Sequence, residues 1–250
     1  MPKIITISNQ KGGVGKTTIS REVAYFLSNR GIKTLIIDAD AQGNLSKSFV
    51  DNTSTGLYDA ITGNEFDLVE ISDNLYLLSG DLRLAMLEKS LIGEIDAYTR
   101  IKDIINTGLF ADFQFIIIDC PPSLGILTLN SLAVATHLIV PVRPAVYSLQ
   151  GTNDLMNTIA KVKKNLNEKL QLTGVIINEY SSNPIIFRQI KEELQSSFGN
   201  LLFESMLSKS VKLEESIINR KGVIATQSKS QLEIEAIGTE LLMRIGYEGR

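Results

Sequence analysis

Residues 11–18 read Lys11-Gly12-Gly13-Val14-Gly15-Lys16-Thr17-Thr18, and they decide the fold. The stretch follows a short apolar run, Ile4-Ile5-Thr6-Ile7, and opens a helical pattern that continues to about Arg30. A strand, a glycine turn and then Lys-Thr at a helix start form the context in which a loop cradles phosphate. Glycines let successive backbone N–H groups converge with no Cβ in the way, and the helix N-terminus adds partial positive charge. Lys16 can then set its ammonium against the β and γ phosphates, while Thr17 offers a hydroxyl to Mg²⁺. The strict pattern G-x-x-x-x-G-K-[ST] is not met. Position 10 is Gln, Gly12 and Gly13 stand in for the missing glycine, and a second lysine, Lys11, sits near the start of the loop.

Working outward, Ile19, Val23, Phe26 and Leu27 recur at helical spacing and Gly31 supplies a stop. Thr34-Leu35-Ile36-Ile37-Asp38 follows, an apolar run of the kind buried on both faces of a parallel sheet. Asp40 lies two residues beyond Asp38, so period-two geometry puts both carboxylates on one side of the strand end, where open α/β sheets bind ligands. A single aspartate after a strand is ordinarily a helix cap. Two of them before Gln42-Gly43-Asn44 fit a loop that senses phosphate better.

Residues 45–110 give short helical patterns at 56–61, 82–91 and 95–105 and a strand at 75–78, with packing as their expected role. Phe115-Ile116-Ile117-Ile118-Asp119 is a second strand ending in a carboxylate, placed to orient Mg²⁺ or its waters. Pro121 and Pro122 force the chain out of the sheet there. Cys120 has no accompanying base and reads as structural, and His137, the single histidine, reads as an ordinary strand-end residue.

A helix is expected over 149–166, with Lys161, Lys163 and Lys164 late in it, where they complement the macrodipole. A strand at 174–178, a helix opened by Pro184, a basic-acidic segment at 208–215 and a final helix at 230–245 complete the pattern. Strands alternating with helices predict an α/β fold: one P-loop NTPase domain over residues 1–250, with a mostly parallel twisted sheet and helices on both faces.

Composition is ordinary for a globular protein, 44% hydrophobic and 21% charged, with net charge −3. That excludes a uniformly basic nucleic-acid binder, although a near-neutral C-terminal half can still carry a basic face. One cysteine excludes an internal disulfide or a four-cysteine metal site. No apolar run reaches the ~18 residues of a membrane span and no signal-peptide pattern opens the chain, so the simplest reading is cytoplasmic.

With KGGVGKTT, DADAQGN and DCPPSLGILTLNSL in order, the chain resembles the ParA/Soj branch of the deviant Walker A ATPases. The likeness runs nearly end to end and includes PVRPAVYSLQG and the closing AIGTELL helix. The resemblance implies a Mg²⁺-dependent ATPase that forms a nucleotide-sandwich homodimer when ATP is bound. Lys11 would reach into the partner's phosphates, Asp40 would orient the attacking water, and Asp38 and Asp119 would support Mg²⁺ through its water shell. Asn178 falls where the family contacts adenine, and Ser208 replaces a proline common beside it. Ala41 also stands where proline is usual, and Gln150 where glutamate is frequent. The family's output is non-specific DNA binding on the nucleoid, released when a ParB-type partner stimulates hydrolysis, to segregate a plasmid or chromosome. Lys212 sits at a family DNA-contact position, and another, Asn183, is not basic here. Arg188, Lys209, Arg220 and Lys221 could compensate. The absence of an N-terminal helix-turn-helix module argues against operator reading.

The nearest rival is a MinD-like membrane- or cell-positioning ATPase, which needs a basic amphipathic C-terminal helix. The end of this chain, Glu240 to Arg250, is too short and too acidic for that. A ParA-like motor that positions a protein cargo would use the same site. An electron-transfer reductase would need cluster cysteines, and a metabolic ligase a small-molecule site for which no residues are seen.

Overall fold

The computed structural model describes residues 2–144, 150–180 and 184–248. Asn183 and residues 145–149 lie outside them. Among the described residues the strands are β1 (Lys3–Ile7), β2 (Thr34–Asp38), β3 (Val69–Ser72), β4 (Leu75–Leu78), β5 (Phe115–Asp119), β6 (His137–Val142), β7 (Gln171–Tyr180) and β8 (Leu207–Ser208). The helices are α1 (Lys16–Asn29), α2 (Asn44–Lys47), α3 (Leu57–Thr62), α4 (Arg83–Ser90), α5 (Arg100–Asn106), α6 (Ile126–Val134), α7 (Gln150–Asn165), α8 (Pro184–Phe198), α9 (Val211–Ile218) and α10 (Lys229–Arg244).

The strands form one sheet in the order β3-β4-β2-β5-β1-β6-β7-β8, parallel throughout except for β3 against β4. From β1 the chain winds outward through β2 and returns through β5 beside β1. It then crosses to β6 on the other side. That reversal is the place where an open α/β sheet leaves a crevice beyond its strand ends.

Both faces are covered because side chains alternate along each apolar run. Ile5, Ile36, Ile117 and Ile176 pack on one side under α1 and α10, against Phe26, Leu27, Ile237 and Leu241. Leu35, Ile37, Ile116 and Ile118 pack on the other, against Leu84, Ile101 and Leu127 of α4, α5 and α6. Leu138, Val140, Val175 and Ile177 meet α7 and α8 through Ile159, Val162 and Leu194. Each fully buried aliphatic side chain contributes roughly 1.5–3 kcal/mol, which makes an all-apolar run stable only as an interior strand.

The same alternation carries the site. Ile36 and Ile117 face α1, so Asp38 and Asp119, two residues on, face it too. The two aspartates are register partners across β2 and β5. The expected period-two relation between Asp38 and Asp40 stops at Asp38, where the strand ends and the Asp40 N–H turns back onto Asp38 Oδ1 at 3.1 Å. Residues 208–215 are not a simple charged segment: they hold the end of a short edge strand and the start of α9.

Candidate phosphate and metal site

The loop between β1 and α1 turns through two glycines with positive φ, Gly13 at 69° and Gly15 at 89°. Gly15 is also hemmed in. A Cβ there would stand 1.8 Å from Asn178 Nδ2, which donates to the Val14 carbonyl at 2.9 Å. Asn9 ties the other side, donating through Nδ2 to Pro141 O at 2.8 Å and accepting the Lys11 N–H at 3.0 Å. The loop is therefore clamped between β6 and β7 while Lys11, Gly12 and Gly13 stay exposed.

Lys16 starts α1 and is only 6% exposed. Its ammonium donates to Lys11 O at 3.2 Å, and burial holds its pKa below the ordinary lysine value against the opposing pull of Asp119, Cys120 and Asp40. Thr17 Oγ1 donates to Asp119 Oδ2 at 2.7 Å, and Ser20 Oγ to Asp119 Oδ1 at 2.8 Å. Thr18, next along, is half-buried. Burial raises Asp119 to about 7, with the Asp38 charge adding to it and the two hydroxyls and Lys16 opposing. Asp38, fully buried, is raised to about 6 by desolvation. It accepts the Ser46 N–H at 2.8 Å and Ser46 Oγ at 2.7 Å on one oxygen, and the Asp40 N–H on the other.

Two buried carboxylates pushed toward protonation, beside a hydroxyl and a lysine, form a site short of positive charge. Mg²⁺ fits such a donor set, since it uses one or two carboxylates and completes its shell with phosphate and water. Among the described residues no group of three or more His, Cys, Asp or Glu side chains forms a closed metal cage. Asp40 is half-exposed at the rim, its Oδ1 held by the Gln42 N–H at 2.9 Å.

Several of these partners carry no sequence motif. Ser20 falls one turn after Thr17, so helical spacing alone could have found it. Ser46 could not be found that way, because its value lies in reaching back eight residues to Asp38. Gly80 packs so tightly on the same loop that a Cβ would come within 2.5 Å of Asp38 O, so residues 45–110, read from sequence as packing only, shape the site.

Away from the phosphate loop the candidates are dispersed. Asn178 is buried and engaged with Val14, and the Ser208 N–H and hydroxyl both go to Glu233 Oε2, at 2.9 and 2.8 Å. Cys120 is buried and its thiol is pushed up to about 12, while burial lowers His137 to about 4, with Lys3 adding to the effect. Neither is poised for chemistry at neutral pH. Of the basic candidates, Arg188 pairs with Glu192 at 3.0 Å, Lys212 with Glu215 at 2.8 Å and Arg220 with Asp51. Lys209 and Lys221 are exposed, with no carboxylate partner among the described residues. No helix among the described residues is long and apolar enough to cross a membrane.

A sequence profile described as an AAA domain matches residues 2–172. The chain is 35% identical to the chromosome partitioning protein ParA of Myxococcus xanthus, over 97% of its own length and 88% of that protein's. It belongs to the ParA/Soj family of P-loop partitioning ATPases. The sporulation initiation inhibitor protein Soj of Bacillus subtilis is 32% identical over 92% of this chain and 94% of Soj. Among solved structures, cobyrinic acid a,c-diamide synthase from Mycobacterium smegmatis with bound ATP analogue and magnesium superposes with a TM-score of 0.88. That alignment is 26% identical and covers 100% of this chain and 97% of the other. A putative plasmid partition protein from Borrelia burgdorferi B31 bound to AMPPNP gives 0.83 at 25% identity, covering 98% and 100%.

Proposed function

We propose that this ParA/Soj-family chain is a nucleotide-gated partition switch. It binds ATP with Mg²⁺, pairs with a second copy while ATP is held, binds DNA without reading bases, and lets go when a ParB-type partner stimulates hydrolysis. The observation that carries this reading is the convergence of buried Lys16, Thr17 and the Asp38–Asp119 pair beneath a glycine loop.

In this reading the loop N–H groups and Lys16 hold the phosphates, and Thr17 with Asp119 holds Mg²⁺, backed by Asp38. When bound, Mg²⁺ neutralises phosphate charge that develops as the γ-phosphoryl leaves. Asp40, fixed by Gln42 N–H, orients the attacking water. Asn178 keeps the loop in shape from the base side through Val14.

Lys11 has a different part. It is exposed while Lys16 is buried, so the two lysines are not duplicates: one serves its own nucleotide and the other is available to a second copy. A cation supplied in trans to phosphoryl transfer is worth roughly 10³ to 10⁵ in rate, or about 4–7 kcal/mol. Lys11→Ala is therefore expected to abolish ATP-dependent dimerisation and stimulated turnover, read by light scattering and phosphate release. A variant that still pairs on ATP and turns over at the wild-type rate refutes the trans role.

A further inference from the structure

We infer that a cavity at the opposite end of the strands from Lys16 is a second ligand site, built for a small anion with an apolar body. The cavity holds about 730 Å³, within the range of small-molecule sites. It opens where β1 begins and where α5, α6 and α7 end. Its inner wall is apolar, formed by Ile4, Phe110, Ala133 and Leu166 among others. Four lysines, Lys102, Lys163, Lys164 and Lys169, line it against one glutamate, Glu168. In a chain of net charge −3 this is a local reversal of sign.

The macrodipole accounts for only part of that cluster. Lys163 and Lys164 are in the last turn of α7, where cations are favoured. Lys102, however, lies in the first turn of α5, where a positive charge is disfavoured, and Lys169 precedes β7 outside any helix. None of the four has an ion-pair partner among the described residues. Meanwhile the polar groups of the floor are already satisfied. Asn167 Nδ2 donates to Leu132 O at 2.9 Å and Ala135 O at 2.7 Å, and Thr136 Oγ1 both accepts Ile4 N–H and donates to Ile4 O, each at 2.9 Å.

An apolar wall with its hydrogen bonds filled has little to offer a sugar or a polyphosphate. It suits a hydrocarbon or aromatic body, and the lysines suit a carboxylate, sulfonate or phosphate ester at its end. The occupant would touch α6 and the start of β1, the strand whose other end leads into the phosphate loop.

The test uses anilinonaphthalene sulfonate as the anionic probe and uncharged phenylnaphthylamine as its neutral counterpart. Both are titrated by fluorescence with the phosphate loop saturated by AMPPNP and Mg²⁺. One saturable site per chain is expected, binding the anion at least about tenfold more tightly than the neutral dye. The double variant Lys102→Glu/Lys164→Glu should weaken the anion at least about tenfold while leaving the melting temperature and basal ATPase unchanged. Val134→Trp, which fills the cavity, should remove binding of both dyes; if that variant fails to fold, the charge reversal still decides. Equal affinity for the two dyes, or anion binding unchanged in the charge-reversed protein, overturns the inference.

Discussion

Asp119 holds its proton until the pH reaches about 7, because it is buried beside Asp38 and only Thr17, Ser20 and Lys16 offset the cost of its charge. A cation entering this site must therefore displace a proton below neutrality. A carboxyl whose folded pKa lies above its unfolded value resists ionisation in the folded chain. The metal-free protein thus loses stability from this group as pH rises from about 4 to about 7, and loses nothing further above that. Magnesium reverses the balance, since it needs the ionised form. Nucleotide-dependent Mg²⁺ binding is expected to strengthen between pH 6 and pH 8, with proton release that calorimetry in buffers of different ionisation enthalpy would measure. Asp119→Asn should erase both the pH dependence and the proton release, and lower turnover by at least about tenfold. Binding that is equally tight at both pH values in the wild type would mean that Asp119 is already ionised without metal.

At the scale of elements, α1 is the part that joins the phosphate loop to the rest of the chain. One turn past Thr17 it carries Arg21 and Glu22, both buried and paired with each other. Arg21 donates to Ser216 O at 2.9 Å and to Lys221 O at 3.1 Å, and Glu22 Oε2 accepts Val223 N–H at 2.7 Å. The pair thereby fixes the segment after α9 against the helix that begins at Lys16. Removing one member leaves an unpaired buried charge, so Glu22→Gln or Arg21→Met should cost about 3–5 kcal/mol in urea unfolding. The double change Arg21→Met/Glu22→Leu should cost less than either alone, and a double loss equal to the sum would deny that the two act as a unit. This pair also marks the limit of what a sequence discloses. Ile19, Val23, Phe26 and Leu27 show the buried face of α1 through their spacing, and the all-apolar runs of β2 and β5 read as interior strands. Arg21 and Glu22 look like surface charges, because the groups that bury them lie about 195 positions further along the chain. β3 escaped for a related reason. Its four residues alternate Val69-Glu70-Ile71-Ser72, half-buried on an antiparallel edge, and take their form from pairing with β4.

For the whole molecule the question is how an acidic chain could hold DNA. Of the five candidate cations, Arg188, Lys212 and Arg220 are engaged with carboxylates, and such exposed pairs are worth only about 0–1 kcal/mol each. They are cheap to break, but each released carboxylate would then repel phosphate, so little net charge is gained. Lys209 and Lys221 carry no such counterweight among the described residues, so in the proposed DNA complex they are the cations that would bind phosphate at the smallest electrostatic cost. Two such lysines per subunit would place four on the proposed dimer, and the logarithm of DNA affinity should then fall against the logarithm of salt with a slope of about −4. A monomer held in the ADP state should show about half that slope and correspondingly weak retention. Replacing Lys209 and Lys221 by Ala should remove most of the slope for every DNA sequence tried, because phosphate contacts carry no base information. Arg188→Ala should leave the slope nearly unchanged. If instead the Arg188 or Lys212 variant flattened the salt dependence while the Lys209/Lys221 variant did not, the ion pairs of the resting chain would have to open on DNA, and the binding face would lie along α8 and α9 rather than at the two ends of α9.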